Sequence, residues 1–158
     1  MAQPNVGARI EPVQQVTIVR SDRAHTFEVF VRRIGSWWPG RPFSFGEGRP
    51  DMVHMDEALG GRVHETWADG TEHDWGRITV WEPSARLALT WEIPPAAGTE
   101  VEVRFSAVGP SLTRVELEHR GWDKLPPERL AAAAAVPGGF DEAWSLILGR
   151  FAAVAEAG

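Results

Sequence analysis

Between Gly60 and Trp91 the chain is cut into three β-forming segments by turn residues, and this leaves an antiparallel meander as the only economical arrangement. Gly60-Gly61-Arg62-Val63-His64-Glu65-Thr66-Trp67 reaches a turn at Asp69-Gly70, and Trp75 to Trp81 runs back to Glu82-Pro83-Ser84. Arg86 to Glu92 then alternates apolar and polar residues before Pro94-Pro95. Each strand carries a tryptophan that a minimal core would not need, so the sheet is wide and rich in aromatic surface.

The flanking segments fix what covers that sheet. Val13 to Arg20 reads as a first strand, at a sheet edge, with Val16, Ile18 and Val19 in β-branched company. Ser21 and Asp22 offer acceptors to the first amides of a helix in which Phe27, Phe30, Val31, Ile34 and Trp38 recur at helical spacing. That spacing predicts about three to four turns, ended near Gly35 or Pro39. Gly40 to Pro50 holds too much Gly and Pro for regular structure, yet includes Phe43 and Phe45. Asp51 to Asp56 is a short strand. Thr99 to Ala107 places Val101, Val103 and Phe105 on one face, and Leu112 to Arg120 answers it with Val115, Leu117 and, by parity, His119 facing inward. After Pro126-Pro127 comes a short alanine-rich helix including Ala131 to Ala135. From Phe140 to Ala157 a stripe of Phe140, Trp144, Ile147, Leu148, Phe151 and Val154 predicts a long helix lying across the sheet. Strand, helix, about six strands and a final helix make an α+β layer architecture, with a cavity expected between the curved sheet and the last helix.

Composition excludes several classes. The 158 residues suit one domain over 1–158, with an ordered core at about 13–157, and the net charge of -6 gives no basic surplus for nucleic acid. No cysteine is present, so disulfides and thiolate chemistry are ruled out. The absence of an apolar stretch of about 18 residues, or of an h-region after Met1, predicts a cytoplasmic protein without membrane attachment. Lys124 is the sole lysine amid abundant alanine, a bias expected of a GC-rich bacterial genome.

The candidate chemistry is sparse. Inward-facing His119 suits a hydrogen-bond donor or general base, or else a core histidine satisfied by a carbonyl. Glu65 shares parity with Val63 and Trp67, so it either faces an apolar interior, where a carboxyl group suits proton transfer, or pairs with an arginine such as Arg77 across the hairpin. His54, His64 and His73 lie near Glu72 and Asp69 without metal-ligand spacing, and no metal is expected. Trp67, Trp75, Trp81, Trp91, Trp122 and Trp144 either line a cavity or fill the core. Phe43, Phe45, Met52 and Met55 suit a rim or lid. No Ser-His-Asp order, phosphate loop or His-Glu-x-x-His string is present.

Several strings together resemble the START-like superfamily, also called SRPBCC or helix-grip, and within it the bacterial branch named after the activator of the heat-shock protein 90 ATPase. They are Gly60-Gly61-Arg62, Asp69-Gly70-Thr71, Trp75-Gly76-Arg77-Ile78 leading to Trp81-Glu82-Pro83, Arg86-Leu87, Thr90-Trp91 and His119-Arg120-Gly121-Trp122. The resemblance runs from about Val13 to the C-terminus and rests on turn and core residues. It implies a helix-grip fold of six to seven antiparallel strands whose cavity holds a hydrophobic small molecule or a cyclase or hydrolase site. The co-chaperone activity of the eukaryotic namesake is not carried over, so a chaperone partner is not expected, although an interaction module stays open as a third reading.

The expected function is therefore reversible binding of a hydrophobic or aromatic molecule, without a cofactor, by a chain that could also form a homodimer. From the first helix, the loop and the meander, the expected lining is Trp38, Phe43, Phe45, Met55, Trp67 and Ile78. Leu89, Trp91, Phe105, His119, Trp144 and Leu148 complete it. The enzymatic alternative is a cyclase, dehydratase or hydrolase moving a proton on Glu65 or His119.

Overall fold

A computed structural model describes residues 10–40, 43, 45, 50–136 and 138–158. The first nine residues, most of the Gly40–Pro50 segment and the expected break at Pro137 lie outside the described residues. Seven strands form one antiparallel sheet: β1 (Val13–Val19), β2 (Met52–Met55), β3 (Arg62–Thr66), β4 (Glu72–Glu82), β5 (Arg86–Trp91), β6 (Thr99–Gly109) and β7 (Leu112–Arg120). Their order is β1-β7-β6-β5-β4-β3-β2. Strands β2 to β7 are thus a continuous meander, and β1 adds an edge strand beside β7.

The expected first helix is divided. Asp22 caps α1 (Arg23–Arg32) by accepting the His25 amide at 2.7 Å, which satisfies one of the free first-turn donors. The helix breaks at Arg33, and α2 (Ile34–Trp37) follows as a single turn that ends with Trp38 in extended conformation. The break lets the consecutive indoles of Trp37 and Trp38 both be buried, which one continuous helix would not do. Gly35 packs against β2, where a Cβ would come within 3.3 Å of the Val53 amide nitrogen.

After β7, Trp122–Lys124 forms a short 3-10 turn, followed by α3 (Pro127–Ala134) and α4 (Gly139–Glu156). Helix α4 packs on β1, α1 and α2, burying Phe140, Trp144, Ile147, Leu148, Phe151, Ala152 and Ala155. The stripe ends on small residues because the helix closes onto α1 there: His25 Nε2 lies 3.2 Å from the Ala155 carbonyl oxygen. Arg150 Nε donates to the Trp37 carbonyl at 3.0 Å and ties α4 to α2.

The two faces of the sheet differ in chemistry. The inner face and the helices enclose the core, where Phe105 meets Phe27 and Phe30 at ring separations of 5.1 and 5.6 Å. The outer face carries charged rows, and Glu102 at its centre is nearly covered by Arg104 and Arg120, with the Arg86 guanidinium at 3.2 Å. Burial alone would raise the Glu102 carboxyl. Hydrogen bonds from Arg104 and Arg120 outweigh it and hold the group down at about 2.

Candidate functional site

A bulge creates the site. Arg62 lies opposite Arg77 and Val63 opposite Gly76, but His64 lies opposite Asp74, so Trp75 is an extra residue on β4. Strict alternation would put Trp75 on the outer face with Arg77. The bulge instead turns its indole inward, where Nε1 donates to Glu65 Oε1 at 2.8 Å. Gly76 permits this, because a Cβ there would overlap the Thr90 carbonyl oxygen.

Glu65 has 0% exposure. Its other oxygen accepts the Trp67 indole N–H and the Phe45 amide, the latter at 3.3 Å. Three neutral N–H groups therefore solvate the carboxylate, and no cation reaches it among the described residues. The alternative pairing with Arg77 is not formed: Arg77 is exposed on the outer face, and its amide donates to Thr90 Oγ1 at 2.9 Å. Above Glu65, Phe45 stacks on His73 with ring centroids 4.9 Å apart.

The aromatic wall continues inward from Trp75. Trp38 lies 4.3 Å from Trp75, Trp91 lies 5.5 Å from Trp75, and Trp144 on α4 lies 5.4 Å from Trp91. Phe43 inserts a ring between Trp144 and Phe140, at 5.4 and 5.1 Å. At the far end is His119, also 0% exposed. Trp144 Nε1 donates to its Nδ1 at 3.0 Å, so the ring proton sits on Nε2 and is donated to Thr99 Oγ1 at 2.6 Å. Thr99 passes its own hydroxyl proton to the Ala96 carbonyl at 2.7 Å. Burial pushes the His119 imidazole down to about 3. The lone pair that a general base would use is already occupied by Trp144, and the ring is held by two side chains where a carbonyl was expected.

The residues expected to line a cavity are brought together only in part. Trp38, Phe43, Trp91, His119 and Trp144 form one contiguous cluster, and Phe45 and Trp67 stand half-buried at its edge beside Glu65. Met55, Ile78, Leu89 and Leu148 are buried in the same core, whereas Phe105 belongs to the α1 end. The expected open hollow is occupied, among the described residues, by indole and phenyl rings. A cleft of about 360 Å³ opens elsewhere, between α3 and the start of α4, against Val13, Trp122, Ala133, Val136 and Phe140. Trp81, also considered for the wall, packs on Phe27 at 5.5 Å. Among the described residues no group of three His, Asp or Glu side chains converges on a metal position, and no helix is long and apolar enough to cross a membrane.

Sequence reasoning missed two partners. Thr99 is legible in the sequence only as the start of a strand, and the one signal for its role is its register near His119 across β6 and β7. Trp75 needed a bulge that Trp75-Gly76 hints at through the glycine.

Comparison with known proteins places the chain in context. The family model described as Activator of Hsp90 ATPase homolog 1-like protein matches residues 23–156. No curated protein matches. Among solved structures, the anthrahydroquino-gamma-pyrone synthase Txn09, complexed with SUM, is 32% identical over 92% of this chain and 97% of its own, with a TM-score of 0.62. The self-sacrificing resistance protein CalC from Micromonospora echinospora is 27% identical over 94% and 96%, with a TM-score of 0.69. The Aha1 dimer from Colwellia psychrerythraea, 12% identical over 92% and 96% with a TM-score of 0.63, shares the fold.

Proposed function

Because the chain belongs to the family of activator of Hsp90 ATPase homolog 1-like proteins and has a helix-grip fold, we propose that it binds a small, planar, hydrophobic or aromatic molecule between its sheet and C-terminal helix. The observation that carries this reading is Glu65. A buried carboxylate that no cation reaches among the described residues is costly, and an apolar side chain would fill the same place without that cost. A few polar groups set in an aromatic wall are what orients a ligand in an otherwise apolar site. Phe43 and Phe45, carried on the connection between α2 and β2, stand where the ligand's rings stack, and Glu65 accepts a hydroxyl from the ligand. Entry is beside Phe45 and Trp67, the two half-buried members of the cluster.

The reading is tested by thermal unfolding against a panel of planar polycyclic compounds, including hydroxylated ones. A ligand at a hundred times its Kd adds about 2.7 kcal/mol of stability, a rise of several degrees. A broad panel that never moves Tm sinks the reading.

A second reading is catalytic, favoured by the 32% identity to a synthase. In it Glu65 moves a proton on the bound molecule, since His119 has no free lone pair for the task. Glu65→Gln would then abolish turnover while leaving binding of the aromatic framework measurable, whereas a pure carrier shows only altered affinity.

A further inference from the structure

Six tryptophans are buried, and five commit their indole N–H to a protein acceptor. Trp37 donates to the Val29 carbonyl at 3.2 Å, Trp38 to the Phe43 carbonyl at 3.2 Å and Trp122 to the His119 carbonyl at 2.9 Å. Trp75 donates to Glu65 and Trp144 to His119. The sixth, Trp91, is 2% exposed and its Nε1–H has no acceptor among the described residues. A buried donor that has lost water and found nothing in exchange is uncommon in native interiors and destabilises the fold that holds it.

Its neighbours cannot supply the missing bond. His119, 5.7 Å away between ring centroids, has Nδ1 taken by Trp144 and Nε2 engaged with Thr99. Trp38, Trp75 and Trp144 present rings at 6.0, 5.5 and 5.4 Å, and an indole nitrogen is a donor only. Glu65 accepts from Trp67, Trp75 and Phe45 and not from Trp91, while its Oε1, with a single bond, keeps room for a further donor. The cluster thus holds one free donor, Trp91, and one carboxylate, Glu65, and both adjoin the single indole of Trp75.

We propose that Trp91 donates to a carbonyl oxygen brought in by the ligand, and that Trp91 and Glu65 together select a planar aromatic ketone or quinone that also bears a hydroxyl group. This rests on the small-molecule reading above and names the ligand class for that site. The carbonyl accepts from Trp91, the hydroxyl donates to Glu65, and the ligand's rings replace the Phe43 ring against Trp38 and Trp144. Both polar groups adjoin Trp75, and a fused polycyclic framework carries a carbonyl and a hydroxyl at separated positions that reach the two. An aliphatic or purely hydrocarbon ligand would bury the Trp91 N–H without relieving it.

The test compares fluorene, fluorenone and hydroxyfluorenone, which share one planar framework and add the carbonyl and then the hydroxyl. Isothermal titration calorimetry on the whole chain should give fluorenone about a tenfold lower Kd than fluorene, the factor that one net hydrogen bond carries. In Trp91→Phe, which keeps an aromatic ring, the two should bind alike. Hydroxyfluorenone should gain a further factor that Glu65→Gln removes. Nitrogen–proton NMR of the unaltered chain gives a readout that does not depend on a variant folding: the Trp91 indole N–H should move downfield with fluorenone and stay in place with fluorene. Equal binding of fluorene and fluorenone overturns the role of Trp91 while leaving the binding reading intact. A Trp91 N–H already downfield in the free protein, and unmoved by fluorenone, overturns it in favour of an internal water. Failure of all three compounds to bind removes both readings.

Discussion

Replacing Glu65 by glutamine keeps the shape of the side chain and removes half of its accepting capacity, so its cost can be worked from the hydrogen bonds. The carboxylate accepts Trp75 on one oxygen, and Trp67 and Phe45 on the other. A glutamine offers one oxygen and one NH₂. Whichever way it turns, donor faces donor on one side. The less costly orientation keeps the oxygen on Trp75, which has no access to water, and releases the half-buried Trp67 and the Phe45 amide to find solvent. Bonds to a charged group are worth about 1.5–3 kcal/mol each. Two are lost, and part of the loss is offset by hydration and by relief of the buried charge, which leaves roughly 2 kcal/mol of destabilisation. For a chain of this size each kcal/mol moves Tm by about 2–4 °C, so Glu65→Gln should unfold about 4–8 °C below the parent at neutral pH. Urea titration should show a lower midpoint with an unchanged slope. A variant that melts at or above the parent temperature would refute the claim that the three donors hold a carboxylate.

Two further predictions concern acid stability and the bulge. Burial pushes His119 down to about 3, so as pH falls the unfolded chain takes up that proton before the folded one. The stability it confers is complete above about pH 6.5 and drains toward pH 3, with a slope of up to about 1.4 kcal/mol per pH unit. Glu102, held at about 2, adds its own loss only below its ordinary range, as pH falls from about 4.5 toward 2. Thermal scans from pH 7 to 4.5 should therefore decline in the parent and flatten in His119→Gln, and a flat parent profile would contradict the buried neutral imidazole. Gly76→Ala should cost more than about 3 kcal/mol, because the added Cβ meets the Thr90 backbone and not a flexible side chain. A soluble Gly76→Ala protein of parental stability would show that the bulge geometry is wrong.

Much of the architecture was legible because its signals are local. The Asp69-Gly70 turn needs a residue at positive φ, and Gly70 has φ 86, so the hairpin was fixed by two residues. Alternation in β6 and β7 assigned Val101, Val103, Val115, Leu117 and His119 to the interior, where they lie. What escaped was set by partners distant in sequence. Glu102 sits at an outward position by parity, yet arginines from three strands bury it, and no pattern within β6 carries that information. The contact of Trp75 with Glu65 escaped because it depends on a bulge, and one inserted residue inverts the faces of everything beyond it. The first helix read as continuous since Phe27, Phe30, Ile34 and Trp38 do keep helical spacing. The break at Arg33 arises from packing Trp37 and Trp38 together, 6.0 Å apart, which a periodicity argument cannot anticipate.

The close succession of Trp37, Trp38, Trp75, Trp91 and Trp144, each ring 4.3 to 6.0 Å from the next, has an optical consequence. Excitation absorbed by any one of these indoles migrates to the others before it is emitted, and the chain contains no tyrosine to add a competing signal. The cluster therefore radiates as one chromophore. A quencher arriving beside a single member dims them all, so the protein carries a label-free reporter of whatever enters its interior.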